Sequence, residues 1–409
     1  LPTAVPPLAG AEQLDAMYPY FTHVDREDDQ RYWVYNAMHF PEPIPAFDSI
    51  TSEAPYAALG AFNTRVHVLP TVLGIGYRII NGRVYITGYP VTDPAEIERR
   101  LVLFQQRAFY YYENWERLYE HWKTKMMALI HEAEAIEVPA LPEYDDEQSV
   151  KDGRGIAQNH FVLESYQRSI EGYFRMWQHH FEFLLLGYGA YMTFFDFCKK
   201  AFPEIPDQSI SFMVAGLEAL MFRPDEELKK LARTAIDLGV ADAFVDGASA
   251  QAVIAAMGSR GEAGAKWLAA FEAAREPWFQ MSTGDGFYHH HRAWKHDLTI
   301  PFVALARYVD QLRQGNAIIR DTAKLAEERK RIIGEYRGLL QSDEERGAFD
   351  QMLGLCHKVF PYIEDHKFYC EHWYTSLFFE KIREFGALLA RNGFFADGED
   401  VFHLNRQEV

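Results

Sequence analysis

The sequence predicts a mainly α protein: a large bundle of long helices, a small N-terminal β-hairpin or sheet element and a proline-rich N-terminal arm. Three observations lead there. Tyr77-Arg-Ile-Ile-Asn-Gly-Arg-Val-Tyr-Ile86 sets Asn81-Gly82 between two β-prone runs, a strong hairpin signal. Apolar residues then recur at spacings of four and three from Ile97 to Ala133. A third stretch, Asn159 to Ala201, is apolar nearly all round, as a central helix would be.

Taken in order, residues 1 to about 60 are proline-rich and dense in rings, as in Met17-Tyr-Pro-Tyr-Phe21 and His39-Phe-Pro-Glu-Pro-Ile-Pro45. Repeated proline disfavours regular helix there, so an irregular arm packing on the body is expected. His39 and Phe40 are candidates to wall a pocket, although aromatic packing is the commoner role. Strands are expected over 64–91. Gly74-Ile-Gly76 is too short for a phosphate loop and reads as turn chemistry. Asp93 can cap the next helix, with Pro94 at its first position and Glu96 at its third. The stripe that follows predicts one helix of roughly 40 residues, about 60 Å long. Residues 138–153 read as a linker. The boundary at residue 92 separates an arm and hairpin region, 1–92, from a helical body, 93–409.

In the helix 159–201, one face carries Tyr173, Trp177, His180, Leu184, Tyr191 and Phe194, and a second carries Phe181, Tyr188 and Met192. His180, with Gln178 and Glu182 beside it, suggests a pocket, though a lone histidine on a buried face is more often a satisfied core residue. Shorter helices follow to residue 275. Gly284-Asp-Gly-Phe-Tyr-His-His-His-Arg-Ala-Trp-Lys-His-Asp297 packs four histidines into eight residues. Adjacent histidines diverge on regular structure and make poor metal spacing. In a loop, His291, Arg292 and Lys295 suit an anion or a polar substrate, and a solvated loop fits equally. Helices are expected over 300–315, 318–342 and 344–357. A last one opens near Phe360 and runs to about Arg391, where Asn392-Gly393 is a stop signal.

Composition narrows the function. A net charge of −18 opposes a nucleic-acid or anionic-membrane surface, which needs a basic stripe. Cys198, Cys356 and Cys370 are widely spaced and lack a Cys-x-x-Cys, which fits a reducing cytoplasm and supplies no zinc framework. The most apolar run carries Glu182 and Asp196, so a buried helix is expected rather than a membrane span. A chain that begins without Met is expected to be trimmed at one or both ends.

The last helix concentrates the chemistry. His366, Tyr369 and Trp373 share one face, and Asp365, Phe368 and His372 the adjacent one. On an undistorted helix His366 and His372 stand roughly 120° apart, at about 100° per residue, so they cannot hold one ion. No His-Glu-x-x-His, nucleophile elbow, P-loop or dinucleotide fingerprint occurs. What remains is an aromatic pocket containing histidines, suited to a planar ligand and to proton transfer near neutral pH. An aromatic core helix with two satisfied histidines fits the same residues.

A resemblance takes the reading further. Glu364-Asp-His-Lys-Phe-Tyr369, Phe379-Glu-Lys-Ile-Arg383 and Gly398-Glu-Asp-Val-Phe-His-Leu404 resemble the segment before the mobile phosphohistidine domain of phosphoenolpyruvate-synthase-like dikinases, including the rifampin phosphotransferases. Met17-Tyr-Pro-Tyr20, His39-Phe-Pro-Glu-Pro43, Arg78-Ile-Ile-Asn-Gly-Arg-Val-Tyr-Ile86, Trp177-Gln-His-His-Phe-Glu-Phe183 and Glu371-His-Trp373 resemble the large subunit of phenylphosphate synthase and related phenol or hydroxyaryl-ketone kinases. The similarity covers most of the chain.

The resemblance implies the phosphoacceptor-binding part of an ATP-dependent aryl kinase. ATP and Mg²⁺ would be bound mainly by an ATP-grasp partner subunit, and a phosphohistidine outside these residues would deliver phosphate to a phenolic hydroxyl. No Gly-rich Thr-Ser-His motif and no ATP-grasp signature occurs here, so the phosphohistidine domain is expected after residue 409. Under this reading His366 or His372 takes the phenol's proton. His180, Trp294, Tyr369 and Trp373 wall the ring, with Trp177, His39 and His291 as further binding residues. Arg292 and Lys295 offset phosphoryl charge. The alternative is a non-catalytic binding or scaffold subunit of such a complex.

Overall fold

A computed structural model describes residues 27–141, 148, 151–152, 159–245 and 247–409. Among them are twelve α-helices and one three-stranded antiparallel sheet, so the fold is mainly α as the sequence predicts. No helix among the described residues is long and apolar enough to cross a membrane. The proline-rich stretch up to Arg26 and most of the expected linker lie outside the described residues. The chain forms two compact units. The first takes residues up to Glu182, Gly284–His291 and Tyr374–Val409; the second takes Phe183–Thr283 and Arg292–Trp373. Both are built from discontinuous stretches of the chain.

In the first unit the sheet runs β1 (Val34–Tyr35), β3 (Arg83–Pro90), β2 (Val72–Ile80). Ile80 pairs with Arg83 and Ile79 with Val84 across the predicted turn. Asn81 and Gly82 both have positive φ, 52° and 71°, the geometry that makes Asn-Gly a hairpin signal. Where the prolines suggested irregular chain, helix α1 (Ile50–Ala61) forms with Pro55 inside it. Burial outweighs the lost hydrogen bond, since Ile50, Ala54, Ala58 and Leu59 are all buried. α1 runs on into a π turn, Phe62–Val66, not a strand. Val68 follows at φ 58°, strained for a β-branched residue. Two arginines hold this segment. Arg100 donates to the Asn63 and Leu69 carbonyls, and Arg107 to those of Arg65 and Val66.

Those arginines lie on α2 (Pro94–Glu113), which starts as expected, with Asp93 accepting from Ala95 N–H and Pro94 in its first turn. The expected 40-residue helix is two helices, because Asn114 interrupts it before α3 (Trp115–Glu134). The Asn114 side-chain amide bonds the Tyr110 carbonyl at 2.9 Å, competing with the backbone ladder. The stripe is buried on α3 at Trp115, Trp122, Met126 and Leu129, whereas Leu101 on α2 is exposed. α4 (Asn159–Ala201) has the predicted bounds, and its residues to Glu182 belong to this unit. The unit closes with α12 (Thr375–Arg391) and a 3₁₀ turn, Gly398–His403.

In the second unit, α4 from Phe183 onward has one buried face, with Phe194 and Cys198 fully covered, but Tyr188 and Met192 are about half exposed. It is therefore not buried all round. α5 (Asp207–Val214), α6 (Arg223–Asp237), α7 (Ala250–Gly258), α8 (Gly261–Arg275) and α9 (Thr299–Arg313) follow. Leu228, Trp267, Phe271, Phe279, Trp294 and Phe302 share one core among them. α10 (Thr322–Leu339) is the charged, solvent-facing helix expected. α11 (Asp343–Lys367) opens on a capping box of Ser342 and Glu345. It does not stop at 357; it passes through Pro361 because Val359, Tyr362, Ile363 and His366 are all buried on one side. Beyond Lys367 the chain widens into π turns, Phe368–Tyr374, before α12.

Candidate functional site

The predicted site residues divide between the units: His39, Trp177, His180 and His291 in the first, and Arg292, Trp294, Lys295, His366, Tyr369, His372 and Trp373 in the second. Each group has its own geometry.

In the second unit, the π turns change the angular argument. Their i→i+5 bonding advances less than 100° per residue, so the 120° separation of His366 and His372 does not apply. His366 is buried at the end of α11, stacked on Tyr362 with ring centroids 5.3 Å apart. Its Nδ1 lies 3.1 Å from the Tyr362 carbonyl oxygen. A carbonyl only accepts, so Nδ1 carries a proton and Nε2, 3.9 Å from Glu371 Oε1, is the exchangeable nitrogen. His372 is also buried, its Nδ1 2.8 Å from Ser282 Oγ. Tyr369 and Trp373 stack 6.4 Å apart, on one face as predicted. Asp365 instead caps a turn elsewhere, accepting Leu220 N–H at 2.6 Å.

Ser282 stands on a short strap that explains the placing of the basic loop. Residues 279–283 run antiparallel to 292–295, through Thr283 N–H to the Arg292 carbonyl, Trp294 N–H to Met281 and Lys295 N–H to Phe279. The strap sets Trp294 into the core, edge-on to Phe279 at 5.7 Å, and leaves Arg292 and Lys295 half-buried. The indole nitrogens of Trp294 and Trp373 are buried and have no hydrogen-bond partner among the described residues. Such a donor costs about 1–3 kcal/mol when nothing accepts from it.

In the first unit, Phe287 is the meeting point. His39 stacks on it at 4.5 Å and Trp177 lies 5.7 Å away. His180 packs on Trp177 at 4.6 Å. The expected polar trio does not converge: Gln178 is exposed, and Glu182 is bound by Lys125 at 2.6 Å with His179 beside it. His291 Nδ1 sits 3.0 Å from Asp285. Burial pushes the Asp285 carboxyl up, but hydrogen bonds from His291 and Phe287 N–H, with His39 nearby, carry it below the usual range.

Sequence reasoning missed Ser282, which lies 90 residues from its histidine, and a further pair, Asp48 and His289, 241 apart. Neither carries a local signal. Against known proteins, the chain matches no family model and no curated protein.

Proposed function

We propose that this chain is the phosphoacceptor-binding part of an ATP-dependent aryl phosphotransferase, acting on the hydroxyl of a phenolic compound. The observation that carries the reading is in the second unit. Two buried indole donors without partners among the described residues, Trp294 and Trp373, accompany a histidine, His372, fixed by Ser282. Rings suit the face of a phenol, and an imidazole suits its hydroxyl.

A phenol ionises near pKa about 10, so near neutral pH its oxygen is a weak nucleophile. His372 takes the hydroxyl proton as the oxygen–phosphorus bond forms and the nitrogen–phosphorus bond of the donor phosphohistidine breaks, releasing its imidazole, with His366 as the other histidine of the site. Positioned bases of this kind contribute about 10²–10⁴-fold. Arg292 and Lys295 offset charge on the transferring phosphoryl group. Phosphate comes from a phosphohistidine on a mobile domain, charged by an ATP-grasp partner that binds ATP and Mg²⁺. This chain's share is to bind, orient and deprotonate the acceptor.

The test has two arms. Titration with phenol, followed by tryptophan fluorescence, is expected to saturate, and Trp373→Phe or Trp294→Phe to weaken it by about tenfold, one lost hydrogen bond. Mixed with ATP, Mg²⁺, the partner and the phosphohistidine donor, the chain is expected to yield an aryl phosphate visible by ³¹P NMR. No phenol binding and no aryl phosphate would end the proposal.

A further inference from the structure

The first unit holds a second imidazole arrangement that the reading above does not use. Asp48, just ahead of α1, is completely buried. Its carboxylate accepts His289 N–H at 3.2 Å, and His289 Nδ1 lies 3.0 and 3.1 Å from its two oxygens. A carboxylate accepts, so Nδ1 carries the proton, and the lone pair of the neutral ring sits on Nε2. The ring plane is fixed by stacking on Phe402, 4.1 Å between centroids and 15° between planes. The backbone is fixed as well, because Arg383 Nη2 donates to the His289 carbonyl at 2.7 Å. The side chain is 16% exposed, and Nε2 has no hydrogen-bond partner among the described residues.

A base in reach of solvent, held in one tautomer by a buried carboxylate, is the arrangement that proton-transfer catalysis requires. We propose that Asp48 and His289 form a proton-transfer dyad, in which His289 Nε2 accepts the proton of a hydroxyl on a small neutral ligand and Asp48 is the positioning residue. The ligand class follows from the charges. Arg383 is the cation beside His289, and it is engaged by Glu380 at 3.1 Å, by Glu399 at 2.8 Å and by the His289 carbonyl. Three of its five N–H groups are engaged and its charge is met by two carboxylates, which disfavours an anionic ligand, whereas a hydroxyl needs only the lone pair.

Pinning the loop 284–291 to α1 would by itself explain the pair, so the test reads reactivity. The intact chain is treated with diethyl pyrocarbonate and mapped by peptide mass spectrometry. Nε2 attacks a carbonyl carbon, an N–C bond forms, and the C–O bond to ethyl carbonate breaks. Ethyl carbonate decays to carbon dioxide and ethanol, and a ring proton is released to water. His289 is expected to be carbethoxylated, and Asp48→Asn to slow this by about tenfold or more, because an Asn amide can donate to Nδ1 and drive the proton onto Nε2. Phenol, as the hydroxyl probe, is expected to protect His289. Should Asp48→Asn fail to fold, ¹⁵N NMR of the unaltered chain reads the tautomer directly. An unreactive His289, a rate unchanged in a folded Asp48→Asn, an Nε2–H tautomer or no protection by phenol would overturn the proposal.

Discussion

Ser282 Oγ and His372 Nδ1 stand 2.8 Å apart, both buried, although 90 residues separate them in the chain. The contact joins the strap 279–283 to the π turns, and it sets the orientation of the imidazole. Either atom can donate, so the hydroxyl can follow the ring through a proton transfer.

Ser282→Ala is therefore expected to cost about 1–3 kcal/mol in urea unfolding, since it strips a buried nitrogen of this partner. Ser282→Thr keeps the hydroxyl and is expected to recover most of the loss. Aryl phosphorylation in the reconstituted complex should fall with the Ala variant and return with the Thr variant. Equal behaviour of the two variants would show that the hydroxyl is not what matters.

Gly386 and Gly398 make the closest approach at the C-terminal end of the first unit. A Cβ on Gly386 would overlap the Gly398 carbonyl oxygen and press on Val401. Both atoms are held, one by backbone and one by a fully buried side chain. Gly386→Ala is expected to lift the turn Gly398–His403 off α12, at a cost of about 1–3 kcal/mol. Limited proteolysis should then cut near residues 394–400 faster than in the unaltered chain.

The hairpin offers a cleaner test of local strain. Gly82 has φ 71°, and a Cβ there would sit 3.1 Å from Pro43 Cβ and 3.3 Å from the Ile44 carbonyl oxygen. Gly82→Ala is expected to lower stability by about 1–2 kcal/mol, measured by chemical denaturation. Asn81→Gly, at φ 52°, should be close to neutral. The reverse order of effects would contradict the turn geometry.

These sites differ in how visible they are in the sequence, for physical reasons. The Asn81-Gly82 turn is legible because its signal is local: two residues that tolerate positive φ between two β-prone runs. The bounds of α4 are legible because a long periodic pattern averages out local exceptions. The break at Asn114 is not legible, since the apolar stripe continues through it and it shows only in the non-helical backbone of Asn114, φ −106° and ψ 17°. The π turns at Phe368–Tyr374 leave no compositional mark, yet they void the wheel arithmetic for His366 and His372. Pro361 misleads in the opposite direction, because burial on one face of α11 carries the helix across it. Of the candidate site, the ring stack of Tyr369 on Trp373 follows from spacing. The partners Ser282 and Asp48 do not, because tertiary folding alone brings them to His372 and His289.

His67 supplies the pH dependence. It is fully buried after the π turn, with Nε2 3.2 Å from the Glu182 carbonyl oxygen and rings of Phe62 and Tyr111 against it. Burial lowers its pKa from 6.5 to about 4; the Glu182 carbonyl opposes this, and Arg107 adds to it. Between those two values the unfolded chain binds the proton and the folded chain does not. Stability therefore rises with pH across that window and is lost as the pH falls through it. At 1.36 kcal/mol per pH unit, acidification from pH 6.5 to about 4 removes about 3 kcal/mol through this one residue. His67→Phe cannot take up a proton, so its stability in urea is expected to fall less over the same window. It also gives up the bond to Glu182, and its stability at neutral pH is expected to be lower by about 1 kcal/mol. A variant whose stability declines as steeply as that of the unaltered chain between pH 6.5 and 4 would show that another group carries the acid sensitivity.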